Sequence, residues 1–214
     1  MRAAGSKTRC TADPGWRQLR SRLLSRLRAD LADGLVDPDM IDLLVSMNSC
    51  SKYVTSSSCS GRIAVIAAEE PGDKLRGGVV ARWHRRVGLD ELLHALRLAS
   101  TRHVWVSVQP PMLNVYVCNF ETALEAVRVF HRAGFKYASV RPTGSGYPLV
   151  QIMSTERIDV PVIYNGRVVV NLDESLVRLL NEFLALGKAK LDRMKRAASA
   201  LLASTCGYED ATLS

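Results

Sequence analysis

The chain has 214 residues, 47% of them hydrophobic and 23% charged, with a formal net charge of +8. These are globular proportions, which exclude wholesale disorder, and the length suits one large domain or two small ones sharing a core. No apolar run approaches the roughly 18–20 residues of a bilayer crossing, and the basic N-terminus MRAAGSKTRC lacks the apolar stretch of a secretory signal. A cytoplasmic protein without a membrane partner is expected. The cysteines at 10, 50, 59, 118 and 206 are odd in number and form no CxxC, so neither a disulfide framework nor a zinc ribbon is expected. The four histidines form no HExxH and no close cluster with cysteine, so no metal site is expected. The charge excess makes a polyanion the first partner to test, nucleic acid above all, against an ordinary solvated basic surface.

Residues 1–15 carry no periodicity and read as a flexible tail. From Trp16 the steps Trp16, Leu19, Leu23, Leu27 and Leu31 place apolar groups on one helical face, with Arg17, Arg20, Arg22, Arg26 and Arg28 around it. Gly34 ends this helix, and Asp37-Pro38 reads as the N-cap and first-turn proline of a second. Short strands are predicted at Ile63–Ala67, Val79–Arg86, His103–Gln109, Leu113–Cys118, Lys136–Arg141 and Tyr147–Met153, with helices at Leu89–Leu98 and Glu121–Ala133. Asn165-Gly166 is a two-residue hairpin signal. Asn171 and Glu174 resemble a capping box opening a helix that runs to about Ala203. Residues 187–196 of that helix hold five basic residues and one acid, and residues 206–214 read as a frayed tail.

Residues 62–109 read strand, strand, helix, strand, and residues 112–154 read strand, helix, strand, strand, a weak internal duplication. Few strand–helix–strand crossovers are available. The expected fold is therefore α+β, a single domain over residues 16–205 with a mixed, largely antiparallel sheet packed by the terminal helices.

Two segments can carry chemistry. In Thr55-Ser56-Ser57-Ser58-Cys59-Ser60-Gly61-Arg62, six of eight side chains end in a hydroxyl or thiol. Such a turn offers donors to an anion, or is simply a hydroxyl-rich turn. It is neither a P-loop nor a dinucleotide fingerprint, since no GK[ST] and no GxGxxG accompany it. Cys59 is either a nucleophile or a small packed side chain. In Arg82-Trp83-His84-Arg85-Arg86, strand alternation puts His84 between two cations on one face and Trp83 on the other. A neutral imidazole there can accept a proton, and Trp83 can stack on a ligand or fill the core.

The Thr55–Arg62 segment resembles the SxSSCxGR signature of the third wybutosine-synthesis protein family, tRNA-modifying methyltransferases. The resemblance extends to Val36-Asp37-Pro38-Asp39 and Asn48 upstream, and to Trp83-His84, Pro111-Met112-Leu113, Gly134-Phe135-Lys136 and Ser154-Thr155-Glu156-Arg157 downstream, covering roughly residues 17–195. Thr55 stands where the signature has Ser, Asn114 where many members have His, and Ala138-Ser139 where Ser-Gly is usual.

The resemblance implies a non-Rossmann enzyme that moves a methyl group from S-adenosylmethionine to the N-4 ring nitrogen of a tricyclic, wyosine-type guanine derivative. That base lies next to the anticodon of phenylalanine tRNA. It implies donor binding by Thr55, Ser57, Ser58, Cys59, Gly61 and Arg62, and chemistry at His84 and Trp83. Arg82, Arg85 and Arg86 form the expected RNA track. The competing readings are a non-catalytic RNA-binding protein and a small-molecule enzyme using Cys59. Homo-oligomerisation is not indicated, although the long C-terminal helix leaves a dimer open.

Overall fold

The structure, a computed structural model, describes residues 10–71 and 77–207. Residues 1–9, 72–76 and 208–214, which hold most of both expected tails and part of the loop after Pro71, lie outside the described residues. The chain folds into two compact units, each with its own sheet. The α+β class and the antiparallel pairing hold. Instead of one mixed sheet there are two, and every strand pairing in them is antiparallel.

The first unit is assembled from residues up to Cys59, Met112–Ser154 and Leu191 onward. Helix α1 (Pro14–Ala32) begins two residues before Trp16, because Asp13 caps it, its carboxylate accepting from Gly15 N at 3.0 Å, with Pro14 in the first turn. A 3₁₀ turn at Pro38–Met40 leads into α2 (Ile41–Ser49). Strands β1 (Tyr53–Cys59), β5 (Met112–Val117), β6 (Ser139–Arg141) and β7 (Leu149–Met153) pair in the order β1-β5-β7-β6. Helix α4 (Phe120–Arg132) packs on this sheet through Ala123, Ala126 and Phe130. Leu124 of the same helix is 37% exposed. The core gathers Leu113, Val115, Val150 and Ile152 with Met194 and Leu201.

Four of the five cysteines are paired within this unit, Cys10 with Cys118 and Cys50 with Cys206. The expectation of no disulfide framework is therefore corrected. The partners are 108 and 156 residues apart in sequence, so no short spacing announces them.

The second unit comprises Ser60–Pro111 and Thr155–Lys190. Strands β2 (Arg62–Ala68), β3 (Gly77–Trp83), β4 (His103–Gln109), β8 (Ile158–Tyr164) and β9 (Arg167–Val168) pair in the order β3-β2-β4-β8-β9. The predicted Asn165-Gly166 hairpin joins β8 to β9 with φ of 51° and 73°, the left-handed pair a type I′ turn requires. Helix α3 (Leu89–Leu98) covers the core face of Ile63, Val65, Val104, Val106 and Val108. Helix α5 (Glu174–Thr205) contributes Val177, Leu180 and Leu184 to this core, and Leu191, Met194, Ala197, Ala198 and Leu201 to the other. Its cap is Asp173, which accepts from Leu176 N at 2.8 Å, and not the predicted Asn171.

Candidate active site

The Ser/Cys segment is a strand, not a turn, through Cys59; only Ser60-Gly61 turns the chain. In the first unit a bulge between Thr55 and Ser57 resets the register, so Ser57 pairs with Asn114, Ser58 with Leu113 and Cys59 with Met112. Thr55 is buried. Its hydroxyl accepts from Asn48 Nδ2 at 2.7 Å and its N–H donates to Asn48 Oδ1 at 3.0 Å, which pins the start of the motif. Ser57, Ser58 and Ser56 line a small cleft of ≈ 70 Å³ with Asp37, whose carboxylate caps the 3₁₀ turn by accepting from Asp39 N at 3.2 Å. Asp37, which in the sequence reads as a helix start and as part of the family resemblance, has no site role assigned to it there. Ser57 Oγ accepts from Asn114 Nδ2 at 2.9 Å. Cys59 is half-buried and belongs to neither disulfide.

In the second unit, Gly61 has φ +94°, and a Cβ there would meet Pro111 Cδ at 3.2 Å and Gln109 O at 3.3 Å. Only glycine satisfies both the backbone and the space. The Gly61 carbonyl lies 3.1 Å from His84 Nδ1. An Nδ1–H donating to that carbonyl leaves Nε2 as the basic nitrogen of a neutral ring. Arg62 Nε donates to Gln109 Oε1 at 2.7 Å, its register partner on β4. Buried Ser60 accepts from Lys188 Nζ at 2.5 Å. Trp83, opposite Ile63, packs half-buried against the core cluster, the core alternative left open in the sequence.

The arginines divide. Arg82 and Arg86 are exposed. Arg85 is held by Glu91 through bonds of 2.7 and 3.2 Å, and Glu91 also accepts from Gly88 N at 3.0 Å. The Arg85 guanidinium first, then the Gly88 amide, bring the exposed Glu91 carboxyl down to about 2. In α1, Arg20 is structural, donating to Asn48 O at 2.6 Å and Tyr53 O at 3.3 Å, whereas Arg17, Arg22, Arg26 and Arg28 are exposed. A cleft of ≈ 630 Å³ in the second unit, between Arg86–Glu91 and the first turns of α5, includes none of Gly61, Arg62 or His84. Its Asn181 is committed to the Val87 backbone at 2.9 Å in both directions. Among the described residues no group of His, Cys, Asp and Glu could hold a metal ion, and no helix is long and apolar enough to cross a membrane.

Comparison with known proteins settles the lineage. The profile of the family Methyltransferase TYW3 matches residues 18–200. The chain belongs to the methyltransferase TYW3 family. Similar relatives include the tRNA(Phe) 7-((3-amino-3-carboxypropyl)-4-demethylwyosine(37)-N(4))-methyltransferase 1 of Pyrococcus furiosus, 37% identical over 180 residues, covering 83% of this chain and 92% of that protein. The N(4)-methyltransferase of Archaeoglobus fulgidus is 36% identical over 189 residues, covering 87% and 94%. Among solved structures, the PH1069 protein from Pyrococcus horikoshii superposes with a TM-score of 0.79 at 33% identity, covering 90% of this chain and 98% of that one. A TYW3-family chain is an enzyme, a methyltransferase, which decides against the non-catalytic RNA-binding alternative. The matched span includes the Ser/Cys strand, Gly61 and His84.

Proposed function

We propose that this chain methylates the N-4 ring nitrogen of the tricyclic, wyosine-type guanine derivative beside the anticodon of tRNA(Phe), a step of wybutosine biosynthesis, and that it does so in the cytoplasm. The match to N(4)-methyltransferases across more than nine-tenths of their own length carries this reading.

The methyl donor is S-adenosylmethionine, which when bound supplies a methyl group on a sulfonium whose sulfur leaves with the bonding pair. The chain has residues that fit it. Gly61 provides a backbone surface from which any Cβ is excluded, and Ser57 and Ser58 offer hydroxyls beside the Asp37 carboxylate. We assign the donor's polar groups to Ser57, Ser58, Cys59 and the Gly61 backbone, with Thr55 fixing the strand that carries them. Arg62, oriented by Gln109, presents its Nη groups to a carboxylate or an RNA phosphate.

His84 Nε2 takes the proton that N-4 sheds as its new bond to carbon forms. Trp83 anchors the end of β3 in the core and turns its remaining surface to the base. Arg82 and Arg86, with the exposed arginines of α1, hold the tRNA backbone, and Arg85 contributes through its Glu91 pair by fixing the turn between them. Most of the rate comes from positioning and water exclusion, because the leaving group is already activated. The test is methyl transfer from labelled donor to tRNA(Phe) carrying the tricyclic precursor. Label should enter that tRNA and not the unmodified one; equal labelling of both, or none, would refute the assignment.

A further inference from the structure

Across the sheet of the first unit runs an unbroken row of polar residues in register. Ser57 on β1 pairs with Asn114 on β5, Asn114 with Gln151 on β7, and Gln151 with Ser139 on β6. Their neighbours Leu113, Val115, Val150 and Ile152 point into the core, so the row occupies the opposite face. Asn114 donates to Ser57 Oγ at 2.9 Å, yet its carbonyl Oδ1 is buried and has no hydrogen-bond partner among the described residues. A buried amide oxygen without a donor is a demand for one. Gln151 is turned the other way: its Oε1 accepts from Arg141 Nη1 at 2.7 Å, which brings a guanidinium to the strand next to Asn114.

The row is thus polar in the electrostatic sense. At the β1 end Ser57 borders the cleft of the Asp37 carboxylate, and toward β6 stands the Arg141 cation. We infer that this row seats an α-amino-acid end group, its ammonium on Asn114 Oδ1 beside Ser57 and its carboxylate on Arg141. The inference rests on the reading of function above, which supplies two molecules with that group. One is the methyl donor, whose methionine end is an α-amino acid. The other is a base of the kind methylated by the Pyrococcus furiosus relative, with a 3-amino-3-carboxypropyl side chain. Position 114 is also where the resemblance described above marks a departure, Asn in place of His. An imidazole there becomes cationic below pH ~6.5 and repels an ammonium, whereas an amide oxygen accepts at any pH.

The test compares ligands that differ only in that group. S-adenosylhomocysteine has the amino-acid end and 5′-methylthioadenosine lacks it. If the donor is seated on the row, Asn114→Ala and Arg141→Ala each weaken S-adenosylhomocysteine binding at least tenfold and leave 5′-methylthioadenosine within twofold. If the base is seated there, both nucleosides bind unchanged. In that case KM rises at least tenfold for tRNA whose base has the side chain, and not for tRNA whose base lacks it. Asn114→Asp, which keeps the acceptor, retains binding in whichever arm responds. Arg141 is exposed, so its variant stands as the readout should an Asn114 variant fold poorly. No change in either arm, or equal losses within each pair, overturns the inference. Failure of the wild-type chain to methylate tRNA would instead refute the function, and the nucleoside arm reads independently of it.

Discussion

His84 Nδ1 lies 3.1 Å from the carbonyl oxygen of Gly61, so one hydrogen bond ties the imidazole to the only strictly glycine position of the Ser/Cys motif. The carbonyl accepts, so Nδ1 carries a hydrogen, and in the neutral ring the basic nitrogen is then Nε2. His84→Asn keeps a donor toward Gly61 and loses the base. It is expected to fold normally, to bind tRNA within a few-fold of wild type, and to turn over about 10²–10⁴ times more slowly. Single-turnover methyl transfer with a parallel tRNA-binding assay checks this; parallel loss of binding would remove His84 from the chemical step.

Gly61→Ala forces a side chain into φ +94° and against Gln109 O and Pro111 Cδ. A cost of about 1–3 kcal/mol is expected from the backbone alone, together with a loss of activity because the His84 acceptor moves with it. Gly144→Ala, whose Cβ meets nothing within 4 Å, is the control and should stay within ~0.5 kcal/mol by denaturant unfolding.

The Glu91 carboxyl, held at about 2 by Arg85 and the Gly88 amide, titrates lower in the folded than in the unfolded chain. Its contribution to stability is therefore complete above pH ~4.5 and is lost as pH falls toward 2. Glu91→Gln should lower Tm at neutral pH, and the gap from wild type should close on acidification through that window. A gap that widens in acid would contradict the sign.

Arg22, Arg26 and Arg28 are exposed on α1, whereas Arg20 holds the carbonyls of Asn48 and Tyr53. Replacing the exposed three by Gln should weaken tRNA binding and flatten its dependence on log[salt] by about 0.7–0.9 for each phosphate no longer neutralised, without touching donor affinity. Arg20→Gln should show the reverse pattern, a lower Tm with the salt slope retained.

Under denaturing, non-reducing conditions the described pairing leaves a single titratable thiol, that of Cys59, against five after reduction. Cys50→Ser is expected to destabilise by about 2–5 kcal/mol, as is typical for loss of a native bridge. Cys59→Ser should leave the non-reduced Tm nearly unchanged.

Much of this was legible in the residues. The periodicity of α1 and α5 and the Asn165-Gly166 turn located elements, because local patterns set them; the alternation in Val79–Arg86 found β3 but overran it, since the strand ends at Trp83 and His84, Arg85 and Arg86 follow it. The motif with Trp83-His84 named the family. What escaped was long-range. The odd cysteine count argued against bridges because Cys59 is left over, while the true partners meet only after β5 and the end of α5 are placed. The motif read as a turn because serine is common in turns, but the register with β5 makes it a strand. Asn171 lost the capping role to Asp173, two residues on, where the carboxylate reaches Leu176 N. The Ser57–Asn114 pair spans 57 residues and has no sequence signature at all.

The two bridges also decide what a nick does to this protein. The first unit is made of three stretches of chain, and Cys10–Cys118 staples the first to the second while Cys50–Cys206 staples the first to the third. A protease that cuts once or several times within Ser60–Pro111 or Thr155–Lys190 therefore leaves those three stretches a single covalent molecule. In such digests the three stretches should run together without reductant and separate with it. A unit that is discontinuous along the polypeptide is in this way continuous through sulfur, and the second bridge can close only after the 156 residues that separate Cys206 from Cys50 have been made.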